Sequence, residues 1–383
     1  MAIQNPTIII PGIKGSSLEN VYALDPSPLW SEIDAAKNML FGPSLKALAL
    51  DPTARFDHSL DVVTQPNGVL PLAYSTLASG LRERRSLPVY VFPYDWRYSI
   101  ERAAERLAEQ LERFVAKVGA HTPGWSRKID FVCHSMGGLV FRSMLSKIAD
   151  PSRIGRVVFL AVPHRGSVDA VEAMIRGETT LFGGRKESRK LARTFPGVYE
   201  LLPRFAGAVV DAASDQPLDV FDMKNWQRNV TPQDLVEKHG FDVEQSHLTE
   251  AKRVLEGLPD PTTIVPASEM LTIYGAREKS TMTKVRVGAA PEHDYDFKNA
   301  QKSEGDGVVP VQSALFPKIP AVKLTWDDVS YFTETTAALS FHAFIGTLDE
   351  TGTIVSRFLE GASTPADILP RGLPASRYEA SPA

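Results

Sequence analysis

The chain has 383 residues, 43% of them apolar and 23% charged, with a formal net charge of −4. That is enough apolar material for one large core or two unequal ones, and the weak negative charge argues against nucleic acid or an anionic membrane surface as the main partner. The single cysteine, Cys133, excludes an intrachain disulfide, and no run reaches the roughly 20 apolar residues of a membrane span.

The first residues, Met1-Ala2-Ile3-Gln4-Asn5-Pro6, carry neither a basic start nor a long apolar run, so the expectation is a cytoplasmic protein without a secretory signal. Thr7-Ile8-Ile9-Ile10 is a short β-branched run that reads as a buried strand. It leads into Pro11-Gly12-Ile13-Lys14-Gly15-Ser16, whose two glycines permit a sharp turn with N–H groups aimed at one point. Such a loop either connects elements or supplies half of an oxyanion hole, through the amide of Ile13. Residues 19–86 suggest short helices and loops around Leu29-Trp30 and Leu45, Leu48 and Leu50, with turns at Asp51-Pro52 and Pro66-Asn67-Gly68. A helix is predicted from Leu72 to Arg84, then a strand at Val89-Tyr90-Val91-Phe92. The Tyr94-Asp95-Trp96-Arg97 cluster beyond it could line a site, but buried rings and an Asp95–Arg97 pair make a structural knot the better reading.

Ser99 opens an amphipathic helix to about Val118, with Ala104, Leu107, Leu111 and Val115 at helical spacing. The next run, Ile129-Asp130-Phe131-Val132-Cys133-His134-Ser135-Met136-Gly137-Gly138, has the layout of a nucleophile elbow, a tight strand-to-helix turn that projects a serine from a sheet edge. The usual pattern is G-x-S-x-G; here Cys133, still small, stands for the first glycine. After the Asp150-Pro151 break, Val157 to Ala161 supplies another buried strand, and alternating strands and helices predict a parallel sheet with crossover helices.

From Val168 to about Val265 the strand pattern vanishes, which suits an inserted helical cap over the strand ends. Strand character resumes at Leu271 to Tyr274, Val285 to Val287 and Ala321 to Thr325, and the proline-rich tail from Gly361 is either disordered or laid along the surface. The expected division is a core over 1–167, a cap or lid over 168–265, a second core part over 266–362 and a tail over 363–383.

A serine needs a base, and the base an orienting carboxylate, which in this layout follow in the order serine, acid, histidine. His342, after the last strand, is the expected base; His134 and His164 fall on loops near the site, but His134 adjoins the serine and should point away from its hydroxyl, and His247 and His293 are weaker candidates. Asp306, between Gly305 and Gly307, is the expected acid, with Glu304, Asp327 and Asp328 as alternatives. The amide of Met136 would be the second oxyanion donor. No metal-ligand spacing is visible, and the chemistry needs no cofactor.

Together these segments resemble the lecithin:cholesterol acyltransferase-like branch of the α/β-hydrolases. The likeness rests on Pro11-Gly12-Ile13-Lys14-Gly15-Ser16, Tyr94-Asp95-Trp96-Arg97, His134-Ser135-Met136-Gly137-Gly138, Phe195-Pro196 with Tyr199 to Pro203, Gly305-Asp306-Gly307-Val308-Val309-Pro310 and His342, over roughly residues 7–350. It implies an α/β fold with a mainly parallel sheet and an inserted, mainly helical cap, acting on acyl esters, often lipids. It also implies Ser135, Asp306 and His342 as a catalytic set, with Ile13 and Met136 as oxyanion donors. The expected activity is a carboxylic ester hydrolase, esterase or lipase, with acyl transfer to an alcohol as an option. A ligand-binding protein without turnover, or an amidase or thioesterase with the same triad, are the alternatives.

Overall fold

The computed structural model describes residues 4–21, 27–31, 48–50, 64–85, 87–122, 125–177, 185–231, 242–325 and 341–380. In chain order, β1 (Thr7–Ile10) leads to β2 (Ser16–Asn20) and β3 (Ser27–Trp30), and β4 (Thr64–Val69) precedes α1 (Pro71–Arg84) and β5 (Val89–Val91). Helix α2 (Ile100–His121), β6 (Ile129–His134), α3 (Met136–Leu145) and β7 (Ile154–Leu160) follow. The next stretch holds α4 (Val168–Ile175), α5 (Arg185–Ala192), α6 (Pro196–Tyr199), β8 (Val209–Asp211) and α7 (Gln245–Glu256). The chain then runs through β9 (Met270–Gly275), β10 (Arg277–Val287), β11 (Gln301–Gly305), α8 (Val311–Ala314), β12 (Ala321–Leu324), α9 (Phe341–Phe344), α10 (Asp349–Leu359), α11 (Pro365–Ile368) and β13 (Tyr378–Glu379).

The main sheet has seven strands in the order β13-β12-β9-β7-β6-β1-β5, parallel except for β13 at one edge. Its central strands are apolar at nearly every position because both faces are covered. Successive side chains then go to opposite layers. Ile8, Ile10, Phe131 and Cys133 join the core beneath α2 and α3, while Ile9 and Val132 join the one beneath α1 and α10. Helix α2 starts where predicted, with Ser99 accepting from the Glu101 amide as N-cap. Among the described residues, no helix is long and apolar enough to cross a membrane.

The structure departs from the sequence-based expectation in three places. Leu29-Trp30 and Pro66-Asn67-Gly68 lie not in helices or turns but in β3 and β4, which flank β2 in a small antiparallel sheet. Pro28 and Pro66 look like breakers, yet each sits in an edge strand, where an unpaired side tolerates a missing N–H. The stretch expected to lack strands contains β8, which pairs in parallel with β10. Strand β10 extends well beyond Val285–Val287, and β11 pairs antiparallel to it. The tail is laid along the surface: β13 adds to β12, with Ala321 opposite Glu379 and Val322 opposite Tyr378. Leu45, Asp51-Pro52, Asp327 and Asp328 lie outside the described residues.

Glu200, just after α6, docks its segment on the start of α2. It is buried, accepts from the Ile100 amide at 2.7 Å, and receives the Ser99 hydroxyl at 2.5 Å. Burial pushes its carboxyl up to about 8, against the pull of those two hydrogen bonds. In the folded chain the group therefore stays protonated through a range in which the unfolded chain ionises. Stability from this site is complete below the ordinary carboxyl pKa and lost as pH rises towards the folded value. Relative to Glu200→Gln, the wild-type chain should lose about 1.4 kcal/mol per pH unit across that window and level off above it. Denaturant unfolding of both chains at the two ends of the window checks this; parallel stability curves would contradict it.

Candidate active site

Strand β6 ends just before Ser135, whose φ of 51° and ψ of −129° place it in a strained turn before α3. The turn is held by the Ser135 amide donating to Leu160 O at 2.9 Å and by Gly138 N–H donating to Ser135 O at 2.9 Å. Small residues are obligatory around it. A Cβ on Gly137 would lie 2.4 Å from Ile10 O, and one on Gly138 would lie 2.4 Å from the Val162 methyls. Cys133 tolerates the position where the usual pattern has glycine because it stands within the sheet, level with Ile10 and Phe159. It is fully buried, and burial holds its thiol well above the usual range, so it packs as a small neutral side chain.

His342 comes from the short helix α9, and its Nε2 lies 2.8 Å from Ser135 Oγ. On the other side of the ring, Nδ1 lies 2.7 Å from Asp306 Oδ2. The second carboxylate oxygen, Oδ1, accepts from the amides of Val308 at 3.0 Å and Val309 at 2.7 Å. All three side chains are buried, with Ser135 4% exposed and His342 8%. Because the carboxylate can only accept, Nδ1 carries the ring proton and the bare Nε2 accepts from the serine hydroxyl.

The acid does not follow a main-sheet strand directly. The β10–β11 hairpin leaves from the end of β9 and returns, setting Asp306 beside Gly275, where a Cβ would sit 2.8 Å from the Asp306 Cβ. Thr281 of β10 holds the turn by accepting from the Gly307 amide at 2.8 Å. Glu304, the nearer alternative, pairs instead with Lys323.

The first glycine loop reaches the same spot. A Cβ on Gly12 would lie 2.8 Å from the Ser135 Cβ, so only glycine lets the loop approach this closely. Among the described residues, neither the Ile13 amide nor the Met136 amide donates to a protein acceptor. The structure thus brings Ser135, Asp306 and His342 into one line, with the loop carrying Ile13 and the first turn of α3 carrying Met136 alongside.

His134 points away from the serine hydroxyl, as expected, but it is well engaged. Nδ1 lies 2.8 Å from Tyr74 Oη, and Nε2 lies 3.0 Å from the carbonyl oxygen of His342. Burial, aided by His342, pushes its pKa down to about 3. Tyr74 belongs to no motif of the sequence; its one mark is a polar-headed ring on the buried face of α1 with Leu77, Ala78 and Leu81. His164 is buried between Phe159 and Phe316, with ring centroids 5.0 Å from each, and makes no contact with the serine line. His247 packs near Tyr199 in the insertion, and His293 lies in a partly exposed turn.

The Tyr94-Asp95-Trp96-Arg97 cluster is the structural knot that its composition suggested. Arg97 holds Asp95 through Nε at 2.9 Å and Nη2 at 2.7 Å, and its Nη1 donates to Leu48 O at 3.0 Å. Tyr94 donates to Pro11 O at 2.9 Å and Trp96 to Ser16 O at 3.1 Å, so the knot braces both ends of the glycine loop.

A mostly parallel sheet with helices on both faces, and a serine at a strained strand-to-helix turn in line with a later acid and histidine, define an α/β-hydrolase. The family described as lecithin:cholesterol acyltransferase matches residues 75–314, and the chain belongs to that family. It is thereby an ester-hydrolysing or acyl-transferring enzyme. The match contains Ser135 and Asp306, while His342 lies beyond it. A search of curated proteins found no significant match. Among solved structures, a Tle4–Tli4 complex aligns with a TM-score of 0.55 at 15% identity, over 90% of this chain and 89% of that one, a likeness of fold. The lipase BlEst2 of Bacillus licheniformis aligns with a TM-score of 0.36 at 13% identity, over 91% and 89% of the two chains. Phospholipase PlaB of Legionella pneumophila aligns with a TM-score of 0.38 at 12% identity, over 78% of this chain and 58% of that one.

Proposed function

We propose that the protein is a serine esterase or lipase that cleaves hydrophobic carboxylic esters through an acyl-enzyme on Ser135. The observation that carries this reading is the unbroken line from Asp306 through His342 to Ser135, at 2.7 and 2.8 Å. As Ser135 Oγ attacks the ester carbonyl carbon, its proton passes to His342 Nε2, and the Asp306 carboxylate stabilises the imidazolium. The free amides of Ile13 and Met136 suit the oxyanion of the tetrahedral intermediate. Its collapse breaks the carbon–oxygen bond to the alcohol, which leaves with the proton from His342. Water, or a second alcohol, then attacks the acyl-enzyme by the same route in reverse. A lipid-like ester is the favoured substrate because the family is named for an enzyme that moves an acyl group between lipids.

A fluorophosphonate probe tests the reading directly. The wild-type chain should be labelled on one serine and lose ester hydrolysis, while Ser135→Ala should be neither labelled nor active. Labelling that survives the substitution would sink the proposal.

A further inference from the structure

The hydrogen bonds around His134 have only one consistent direction. The His342 carbonyl oxygen can only accept, so His134 Nε2, 3.0 Å away, carries the ring proton. With its pKa near 3, the ring is neutral at neutral pH and Nδ1 is bare. Nδ1 therefore accepts from the Tyr74 hydroxyl at 2.8 Å. With its proton committed there, Tyr74 Oη accepts from the Gly12 N–H at 2.8 Å. Burial keeps this hydroxyl protonated. The line starts in the first glycine loop, passes through α1 and the residue before the nucleophile, and ends on the backbone of the histidine that faces Ser135.

We infer that Tyr74 and His134 are positioning residues that lock the first glycine loop and the His342 backbone to each other, so that oxyanion donor and base meet Ser135 as one unit. The inference rests on the roles proposed for Ser135, His342 and Ile13. Both ends of the line adjoin those groups: Gly12 precedes Ile13 and abuts Ser135, and the far end is His342 itself. The middle is buried. Tyr74, Leu77, Ala78 and Leu81 bury α1 in the core that also holds Phe341 and Ile345, on either side of the histidine. The glycine loop is moulded to the tyrosine, since a Cβ on Gly15 would lie 2.7 Å from its hydroxyl oxygen. A shift of about 1 Å at such a point costs on the order of a hundredfold in rate, because the attack geometry is lost before substrate binding is.

Three substitutions in the full chain, assayed on a p-nitrophenyl ester, test this. Tyr74→Phe removes one oxygen and keeps the ring packing. His134→Phe removes both ring nitrogens, whereas His134→Gln keeps an N–H for the His342 carbonyl. Tyr74→Phe and His134→Phe should each lower kcat by about tenfold to a hundredfold with KM within about twofold. The double variant should be no slower than the worse single one, and His134→Gln should recover most of the loss. Losses that multiply, a loss carried by KM alone, or a His134→Gln chain as slow as His134→Phe would each overturn the inference. If His134→Phe does not fold, Tyr74→Phe decides alone, and a wild-type kcat in that variant overturns it. Ser135→Ala separates the two readings. Turnover that persists there defeats the proposed function, whereas an inert Ser135→Ala beside a wild-type-like Tyr74→Phe defeats only the positioning line.

Discussion

Replacing Ser135 or His342 with alanine is expected to lower kcat for ester cleavage by about a millionfold, and replacing both should cost no more than either alone. The reason lies in how the two groups depend on each other. On the roles proposed, the serine hydroxyl attacks only as its proton leaves, and the bare Nε2 at 2.8 Å takes it. Without the imidazole the hydroxyl remains a poor nucleophile; without the hydroxyl the imidazole has nothing to activate. KM should move far less than kcat, because both groups act on the developing bond more than on the resting ester. Initial rates over a range of ester concentrations for the two single variants and the double one check this. If the two losses multiply instead, the groups act independently and His342 is not the base for Ser135.

Asp306→Asn is expected to lower kcat by about ten-thousandfold while leaving the fold intact. The surrounding amides decide the outcome. Oδ1 of residue 306 accepts from Val308 and Val309, so an asparagine must turn its oxygen towards them and its NH₂ group towards His342. That NH₂ group can only donate, which strips the proton from His342 Nδ1 and moves it to Nε2. The ring then presents an N–H to Ser135 where a bare nitrogen is required. Thermal unfolding close to wild type together with collapsed turnover would bear this out; a near wild-type rate would show that Asp306 does not set the tautomer.

Much of the site was legible in the sequence because its chemistry constrains short segments. A serine between an apolar run and two glycines fits a tight strand-to-helix turn, and glycines on both sides of Asp306 leave the backbone free to aim a short acid. The order serine, acid, histidine then singled out His342 among eight histidines. The central sheet was legible for a similar reason, since strands buried on both faces are apolar throughout. What stayed hidden was built from polar or proline-bearing strands. Strands β3 and β4 contain Pro28 and Pro66, β11 reads Gln-Lys-Ser-Glu-Gly, and most of β10 alternates too loosely to stand out. Their strand character comes from the partner beside them, which no local pattern records. Tyr74 was hidden in the opposite way: it satisfies an amphipathic helix so well that its hydroxyl raises no question until Gly12 and His134 are seen on either side.

The strand order has a consequence for how the enzyme comes into being. Thr7 pairs with Val89 on one side and Asp130 on the other, so β1 must wait for two much later strands. Pairings this distant delay folding, because chain closure comes before the contacts that reward it. Maturation is later still, since His342 meets Ser135 across 207 positions. On the roles proposed, a ribosome-bound chain holds its nucleophile long before its base. On that reading Ser135 stays inert until the segment that carries His342 has emerged and docked.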